Sequence, residues 1–261
     1  MPVNPFEQGL GKNPANFQAL TPLTQLQRAA GIYPGHTAII HGNLRWSYEE
    51  LYSRSRQLAS ALSSKQVGPN DTVSVMLPNT PPMIEAHYGV PMTGAVLQSI
   101  NTRLDPEVIA FQLDHAATKV VIVDREFAPV MAQALQIAQV DPLVIDYNDT
   151  EFPQENGAIS DNDYEAFVEG GDPEFSWRMP PDEWDAITLN YTSGTTGNPK
   201  GVVYSHRGTA LMCSRRGPWS ASRLPVDTTY VPLQWVVFPL DTVSSGGHAC
   251  LAKMGARQAN F

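Results

Sequence analysis

The sequence predicts an α/β fold in which helices flank mostly parallel sheets, and three features carry this prediction. Strand-like and helix-like segments alternate from Thr37 onward. Lys119–Asp124 contains a short, uninterrupted apolar run, which is typical of a strand buried on both faces of a parallel sheet. Asp185–Asn190 forms a last strand and leads into a glycine-rich run. Because such alternation places helices on the faces of the sheet, we expect a layered α/β domain.

The clearest helix start is marked by Ser47 and Glu50, whose S-x-x-E spacing forms a capping box. Apolar residues then recur at helical spacing and predict a helix over Tyr48–Ser64. Asp105 is expected to cap a later helix that ends near Ala116. The other predicted helices cover 23–30, 83–93, 129–139 and 161–169, the other predicted strands cover 37–41, 44–46, 72–77, 96–100 and 142–146, and an irregular connector covers 148–181.

The composition is that of an ordinary globular protein. The 261 residues carry a formal net charge of -9, with 42% hydrophobic and 16% charged residues. The negative charge argues against a protein that binds nucleic acid through bulk electrostatic attraction. It still permits a phosphate ligand, because backbone N–H groups and one lysine can form an anion site.

The chain has few features of a secreted or membrane protein. Its two cysteines, Cys213 and Cys250, are too few for a disulfide framework, and no Cys/His spacing indicates a zinc site. Residues 1–6 lack the basic and apolar regions of a signal peptide, and no apolar run has the length of a membrane span. These features predict a cytoplasmic protein in a reducing compartment.

The glycine-rich run from Tyr191 to Gly201 reads Y-T-S-G-T-T-G-N-P-K-G and follows a predicted strand. Its glycines allow positive φ angles and a close approach of the backbone to a ligand. Successive N–H groups, four hydroxyls and Lys200 can then surround phosphate oxygens. The run is not a Walker A loop, because Pro199 precedes the lysine and a glycine follows it. The alternative, a flexible surface turn, is disfavoured by the length of the run and its place after a strand.

This run, continued by Val202–Gly208, resembles the signature loop of the adenylate-forming superfamily, which includes AMP-forming acyl-CoA synthetases, luciferases and peptide-synthetase adenylation domains. Trp46–Leu51 resembles an early T-Y-x-E-L segment of that superfamily. Val73–Asn79 and Asn101–Leu104 resemble its V-x-x-x-L-P-N and N-P-R-L segments. The resemblance covers residues 23–212, and the chain is most similar to the medium-chain or 3-methylmercaptopropionate–CoA ligase branch.

The resemblance implies an acid–CoA ligase that uses ATP, Mg²⁺ and CoA together with a fatty or other carboxylic acid. ATP and the acid form an acyl-adenylate and pyrophosphate, and CoA then displaces AMP to give the acyl-CoA. Residues 1–212 would be an incomplete N-terminal AMP-binding domain, and the family's catalytic lysine and magnesium-binding glutamate would lie outside this sequence. The resemblance assigns phosphate contacts to Thr192, Ser193, Gly194, Thr195, Thr196, Gly197 and Lys200.

A histidine, His206, follows the loop at a predicted strand-to-helix turn. It has two alternative roles, which the sequence does not separate. One is a structural residue whose ring nitrogens are satisfied inside the protein. The other is a group that faces the acid substrate.

Residues 213–261 depart from the family pattern and are expected to form an atypical tail. Cys213–Trp219 shows no amphipathic order, and the family's P-M-F-H-x-N-G motif is absent from the sequence. A reading frame shifted by one nucleotide permits that motif within 221–242. We therefore hypothesise a frameshift between Met212 and Ala221. In that case no selected function belongs to Arg215, Trp219, Trp235, His248 or the two cysteines.

Three functional hypotheses remain open. The first is an acid–CoA ligase by descent that has little or no turnover on its own. The second is a non-catalytic degenerate fragment, or one half of a split enzyme that a separate C-terminal half completes. The third is an ATP-binding module without turnover. Under the first two, an uncovered sheet edge is expected to make the isolated chain unstable or prone to aggregation.

Overall fold

The computed structural model describes residues 6, 8–9, 11–192 and 199–220, with the side chains of 214–220 left out. Across these residues the predicted α/β class is confirmed, since helices and strands alternate along the chain. The helices are α1 (Leu23–Ile32), α2 (Tyr48–Ser64), α3 (Pro81–Met92), α4 (Pro106–His115), α5 (Ala128–Ile137), α6 (Tyr164–Glu169) and α7 (His206–Ser220). The strands are β1 (Thr37–His41), β2 (Leu44–Ser47), β3 (Thr72–Met76), β4 (Val96–Ser99), β5 (Thr118–Asp124), β6 (Leu143–Tyr147), β7 (Ala186–Tyr191) and β8 (Gly201–Ser205).

The start of α2 confirms the predicted capping box. The Ser47 hydroxyl accepts a hydrogen bond from the Glu50 amide at 3.2 Å, and the Glu50 carboxylate accepts one from the Ser47 amide at 2.7 Å. Two amides at the helix start are thereby satisfied by side chains. The helix then buries Leu58 and Leu62 completely, so its apolar stripe packs into the core.

Two helix boundaries and one capping hydrogen bond differ from the sequence prediction. Helix α3 begins at Pro81 rather than at Met83, because proline is well accommodated in the first turn of a helix. Asp105 occupies the N-cap position of α4, but its side chain makes no capping hydrogen bond. Helix α5 ends at Ile137, because the Asp114 carboxylate accepts the next amides, at positions 139 and 140, in place of helical carbonyls.

The larger sheet has six strands in the order β6-β5-β3-β4-β7-β8, and its strands are parallel except for β8, which pairs antiparallel to β7. Helices α2, α3 and α6 pack on one face, where Val120 and Ile122 of β5 are buried. Helices α4 and α5 pack on the other face, against Val121 and Val123. This alternation explains why the sequence of β5 is apolar on both sides.

The smaller sheet is the antiparallel hairpin of β1 and β2. Together with α1 it packs on the outer side of α2 and α3, around buried residues such as Leu26, Ile39 and Leu51. The hairpin and α1 therefore form a further layer outside α2 and α3.

The parallel strands place the glycine-rich run at a defined edge of the sheet. Strand β7 pairs in parallel with β4, so that Thr188 lies opposite Leu97. The segment after Tyr191 consequently leaves the sheet at the carboxyl ends of the parallel strands. Ligands of open α/β sheets bind at this edge.

A buried ionic cluster connects α2, α3 and α6. Glu85, which is fully buried, accepts hydrogen bonds from the Arg54 guanidinium and from the Tyr164 hydroxyl, the latter at 2.5 Å. Arg54 also donates to Glu165 at 2.8 Å and stacks over the Trp46 ring at 4.5 Å. Burial and the nearby Glu85 charge raise the pKa of Tyr164, so its hydroxyl remains a donor. The cluster joins three helices through one carboxylate.

Strand β8 forms an exposed edge of the sheet. Among the described residues it pairs only with β7, and both of its sides are solvent-accessible. Val203 is 62% exposed and Val202 is 39% exposed. An edge strand with apolar side chains and free backbone groups is a site for pairing with another chain.

We expect Val203→Lys to reduce aggregation of the isolated chain, because a charged side chain on an edge strand opposes strand-to-strand pairing between molecules. The measurement is light scattering during incubation at constant protein concentration. Ile137→Lys is the control, because Ile137 is 50% exposed but lies in helix α5 rather than in a strand. An equal decrease in both variants would show that added charge, and not the β8 edge, controls aggregation.

Candidate functional site

The candidate site is the segment that joins β7 to β8. Tyr191 and Gly201 lie opposite each other in the antiparallel pair. Just beyond them, the Thr192 amide donates to the Lys200 carbonyl at 3.0 Å, and the Lys200 amide lies 3.4 Å from the Thr192 hydroxyl oxygen. These hydrogen bonds place Thr192 and Lys200 side by side at the base of the loop. They are the first and last residues predicted to contact phosphate, and both are exposed.

The remaining predicted phosphate contacts lie outside the described residues. They are Ser193, Gly194, Thr195, Thr196 and Gly197. Their assignment stays a prediction that rests on the sequence pattern. The described residues on either side supply the frame to which these five residues are attached.

Gly201 at the base of the loop is closely packed, which the sequence pattern did not reveal. A β-carbon at this position would lie 2.9 Å from a methyl carbon of Leu189 and 3.5 Å from the ring of Tyr191. The first distance is too short for two carbon atoms in van der Waals contact. A larger residue would therefore require the Leu189 side chain to shift.

His206 is buried at the first position of α7, with 3% of its surface exposed. Its Nδ1 lies 2.9 Å from the hydroxyl oxygen of Thr21, and its amide donates to the carbonyl of Asp185 at 3.0 Å. These contacts favour the structural role over the substrate-facing role. The histidine joins the segment before α1 to the corner between β8 and α7.

A second contact holds the same corner. The Glu183 carboxylate accepts from the Leu20 amide at 2.9 Å and from the Arg207 guanidinium. The Arg207 amide in turn donates to the Glu183 carbonyl at 2.7 Å. The hydrogen bond from Leu20, followed by that from Arg207, lowers the pKa of Glu183. The segment that precedes α1 is thus bound at two adjacent points.

The burial of His206 predicts a pH dependence of stability. Burial lowers the pKa of His206 from its ordinary value of 6.5 to about 4. Between these values the unfolded chain binds more protons than the folded chain, so the free energy of unfolding falls as the pH is lowered from 6.5 to about 4. The loss is about 3 kcal/mol at 1.36 kcal/mol per unit, and stability from this group is complete above pH 6.5.

The measurement is the free energy of unfolding in urea as a function of pH, compared between the unmodified chain and His206→Asn. Asparagine retains a polar group near the Nδ1 position but does not titrate in this range. The difference between the two curves removes contributions from other groups such as His87, whose pKa burial also lowers. Parallel curves between pH 4 and 6.5 would show that His206 does not contribute.

Two other kinds of site are absent from the described part of the chain. No three His, Cys, Asp or Glu side chains there are grouped in a way that would hold a metal ion. None of the helices described combines the length and the apolar character that a membrane crossing requires.

Comparison with known proteins gives consistent matches. A family model described as AMP-binding enzyme matches residues 26–254. The chain is 46% identical over 217 residues to the acetate–CoA ligase CCL3 of Humulus lupulus, covering 78% of this chain and 38% of that protein. It is 41% identical over 247 residues to a peroxisomal benzoate–CoA ligase of Arabidopsis thaliana, covering 89% of this chain and 42% of that protein. The chain thus spans well under half the length of these relatives.

The fold also matches solved structures. The crystal structure of the anthranilate CoA ligase AuaEII in complex with anthranoyl-AMP aligns with a TM-score of 0.68 and 21% identity. The alignment covers 78% of this chain and 38% of that chain. At this identity the likeness supports the fold alone. It corresponds to the expected incomplete domain, because the matched region is only part of the larger protein.

Proposed function

Because the chain belongs to the AMP-binding enzyme family, we propose that it carries the phosphate-binding part of an ATP-dependent, AMP-forming acid–CoA ligase. In the proposed reaction a carboxylate oxygen attacks the α-phosphorus of ATP and pyrophosphate leaves, giving an acyl-adenylate. The CoA thiolate then attacks the acyl carbon, and AMP leaves as the thioester forms. Because this chain covers 38–42% of the relatives' length, we propose that the complete reaction also uses parts of such an enzyme beyond the matched region.

One observation carries the proposal: Thr192 and Lys200 meet at the base of the β7–β8 loop. The 3.0 Å hydrogen bond between the Thr192 amide and the Lys200 carbonyl closes the loop at the carboxyl edge of the parallel strands. The Thr192 hydroxyl and the backbone of Lys200 therefore lie together at the edge where open α/β sheets bind their ligands. A loop closed in this way can direct its amides toward a single anion.

We assign the polyphosphate of ATP to this loop. The Lys200 ammonium would neutralise charge on the β- and γ-phosphates, and the hydroxyl and amide of Thr192 lie beside its backbone. The five residues of the loop outside the described part, Ser193, Gly194, Thr195, Thr196 and Gly197, are proposed to supply further amides and hydroxyls. Mg²⁺ would enter with ATP, bound to its phosphates, and would spread the charge that develops on pyrophosphate.

The identity of the acid substrate and the subcellular location are more specific proposals than the reaction class. The relatives include an acetate–CoA ligase and a benzoate–CoA ligase, so a small carboxylic acid is the substrate class that we propose. The medium-chain or 3-methylmercaptopropionate branch remains our proposal from the sequence, as does a cytoplasmic location. The peroxisomal relative shows that the family is also present in another compartment.

Acid-dependent exchange of labelled pyrophosphate into ATP tests the function and separates the three hypotheses. A ligase exchanges label only when a suitable acid, such as acetate, butyrate or benzoate, is present. An ATP-binding module binds ATP but shows no exchange with any acid, and a degenerate fragment shows neither. Half of a split enzyme gains exchange when a polypeptide that contains the remaining part of a relative is added. Failure to bind Mg-ATP under all these conditions would contradict the proposed function.

A further inference from the structure

Tyr191, the last residue of β7, contacts a side chain from α4. Its hydroxyl oxygen lies 2.7 Å from Nδ1 of His115, the last residue of α4. The two rings meet edge to face with centroids 5.7 Å apart, and His115 is stacked on Phe111 at 5.5 Å. Because Thr192 directly follows Tyr191, this contact lies one residue from the start of the candidate phosphate loop.

The same ring also lies near the end of the loop. Gly201 pairs with Tyr191 across β7 and β8, and a β-carbon on Gly201 would lie 3.5 Å from the tyrosine ring. The ring of Tyr191 is therefore in contact distance of the residue that follows Lys200. One aromatic side chain connects the first and last residues of the loop base with α4.

The Tyr191–His115 hydrogen bond does not depend on the tautomer of the histidine. Burial raises the pKa of Tyr191, so its hydroxyl stays protonated at neutral pH. A tyrosine hydroxyl can donate to an unprotonated Nδ1 or accept from a protonated one. The contact is thus available in each protonation state of His115.

We propose that His115 is a positioning residue for ATP, acting through Tyr191. Its Nδ1 holds the tyrosine hydroxyl, the tyrosine ring is held against Gly201, and Thr192 and Lys200 are thereby kept in the register that forms the phosphate site. The inference rests on the proposed function of the loop. Neither residue needs to touch the nucleotide, and the sequence pattern alone does not connect positions 115 and 191.

The test uses the full chain and Mg²⁺-tripolyphosphate as the probe, since this ligand contacts a phosphate site without any adenine pocket. Binding is measured by calorimetry for the unmodified chain, His115→Leu, Tyr191→Phe and His115→Asn. Loss of one hydrogen bond predicts about two- to tenfold weaker binding for the leucine and phenylalanine variants. His115→Asn should bind nearly as well as the unmodified chain, because the asparagine amide lies near the position of Nδ1.

A double variant separates positioning from general stability. His115→Leu combined with Tyr191→Phe should bind no more weakly than either single variant, because both remove the same hydrogen bond. Urea unfolding of each variant shows whether the fold is retained. If the asparagine variant binds as weakly as the leucine variant, or the two single effects add, the positioning role is wrong. Unchanged binding in His115→Leu also overturns it, whereas an unmodified chain that binds no tripolyphosphate contradicts the proposed function itself.

Discussion

We expect Lys200→Ala to weaken the binding of Mg-ATP by about 10- to 100-fold, because a hydrogen bond to a charged partner contributes roughly 1.5–3 kcal/mol. Lys200 is exposed, and its backbone is held beside Thr192 at the base of the loop. Its removal deletes the cation proposed for the β- and γ-phosphates without opening the β7–β8 pair. Equilibrium dialysis with labelled ATP measures the change.

Lys65→Ala is the matched control for this prediction. Lys65 is exposed at the end of α2 and carries the same charge at a site remote in sequence from the loop. It should change ATP binding only through the loss of one positive charge, an effect that added salt screens. If the two variants weaken binding equally, the lysine of the loop has no specific role.

Glu85→Ala is expected to lower the free energy of unfolding by about 3–5 kcal/mol, the usual cost of removing one partner of a buried ion pair. Glu85 is fully buried and accepts from Arg54 and Tyr164. Without it, the Arg54 guanidinium retains only Glu165 as a charged partner, and the Tyr164 hydroxyl loses its acceptor. Urea unfolding monitored by circular dichroism measures the change.

A surface ion pair provides the comparison. Glu174 pairs with Arg56 at 2.9 Å, and the Glu174 side chain is 79% exposed. Glu174→Ala should therefore cost no more than about 1 kcal/mol. A loss in Glu85→Ala as small as that in Glu174→Ala would show that the buried cluster does not hold α2, α3 and α6 together.

Local sequence signals predicted much of the fold. The S-x-x-E spacing of Ser47 and Glu50 identified the start of α2, and the apolar spacing that follows it identified the extent of the helix. Strand β5 was recognisable because a continuous apolar run suits a strand with both faces buried. In each case the signal lies in a short run of the sequence, although the two faces of β5 are buried by elements distant in the chain.

Long-range contacts explain what local signals did not predict. Helix α5 was expected to reach Gln139, but the amide of that residue bonds instead with Asp114, 25 positions earlier. The Glu85–Tyr164 hydrogen bond spans 79 positions. Its only trace in the sequence is one acidic residue within the otherwise largely apolar helix α3. Such a residue is a useful signal of a buried pair, but it does not identify the partner.

The candidate site likewise combines a feature that the local sequence predicted with long-range contacts that it did not predict. The glycine-rich pattern identified the loop, and the structure places Thr192 beside Lys200. The roles of His206 and His115 depend on Thr21 and Tyr191, which lie 185 and 76 positions away. Pattern and spacing within the loop contain no information about these contacts.

The frameshift remains a hypothesis about the gene. The backbone of α7 continues beyond Met212 to Ser220, and the family match extends to residue 254. A divergent continuation of the family domain is therefore the alternative to a shifted frame. The nucleotide sequence from codon 212 onward decides between them. A shifted frame that does not encode the P-M-F-H-x-N-G motif would contradict the frameshift.

The most direct test of the phosphate site is an amide-resolved NMR titration of the chain with Mg-ATP. We predict that the largest chemical-shift changes occur at the Thr192, Lys200 and Gly201 amides and in the loop between them. The amides of α5, which lies across the sheet from β7, should change little. Shifts concentrated away from the β7–β8 loop, or no shifts at saturating Mg-ATP, would contradict the account.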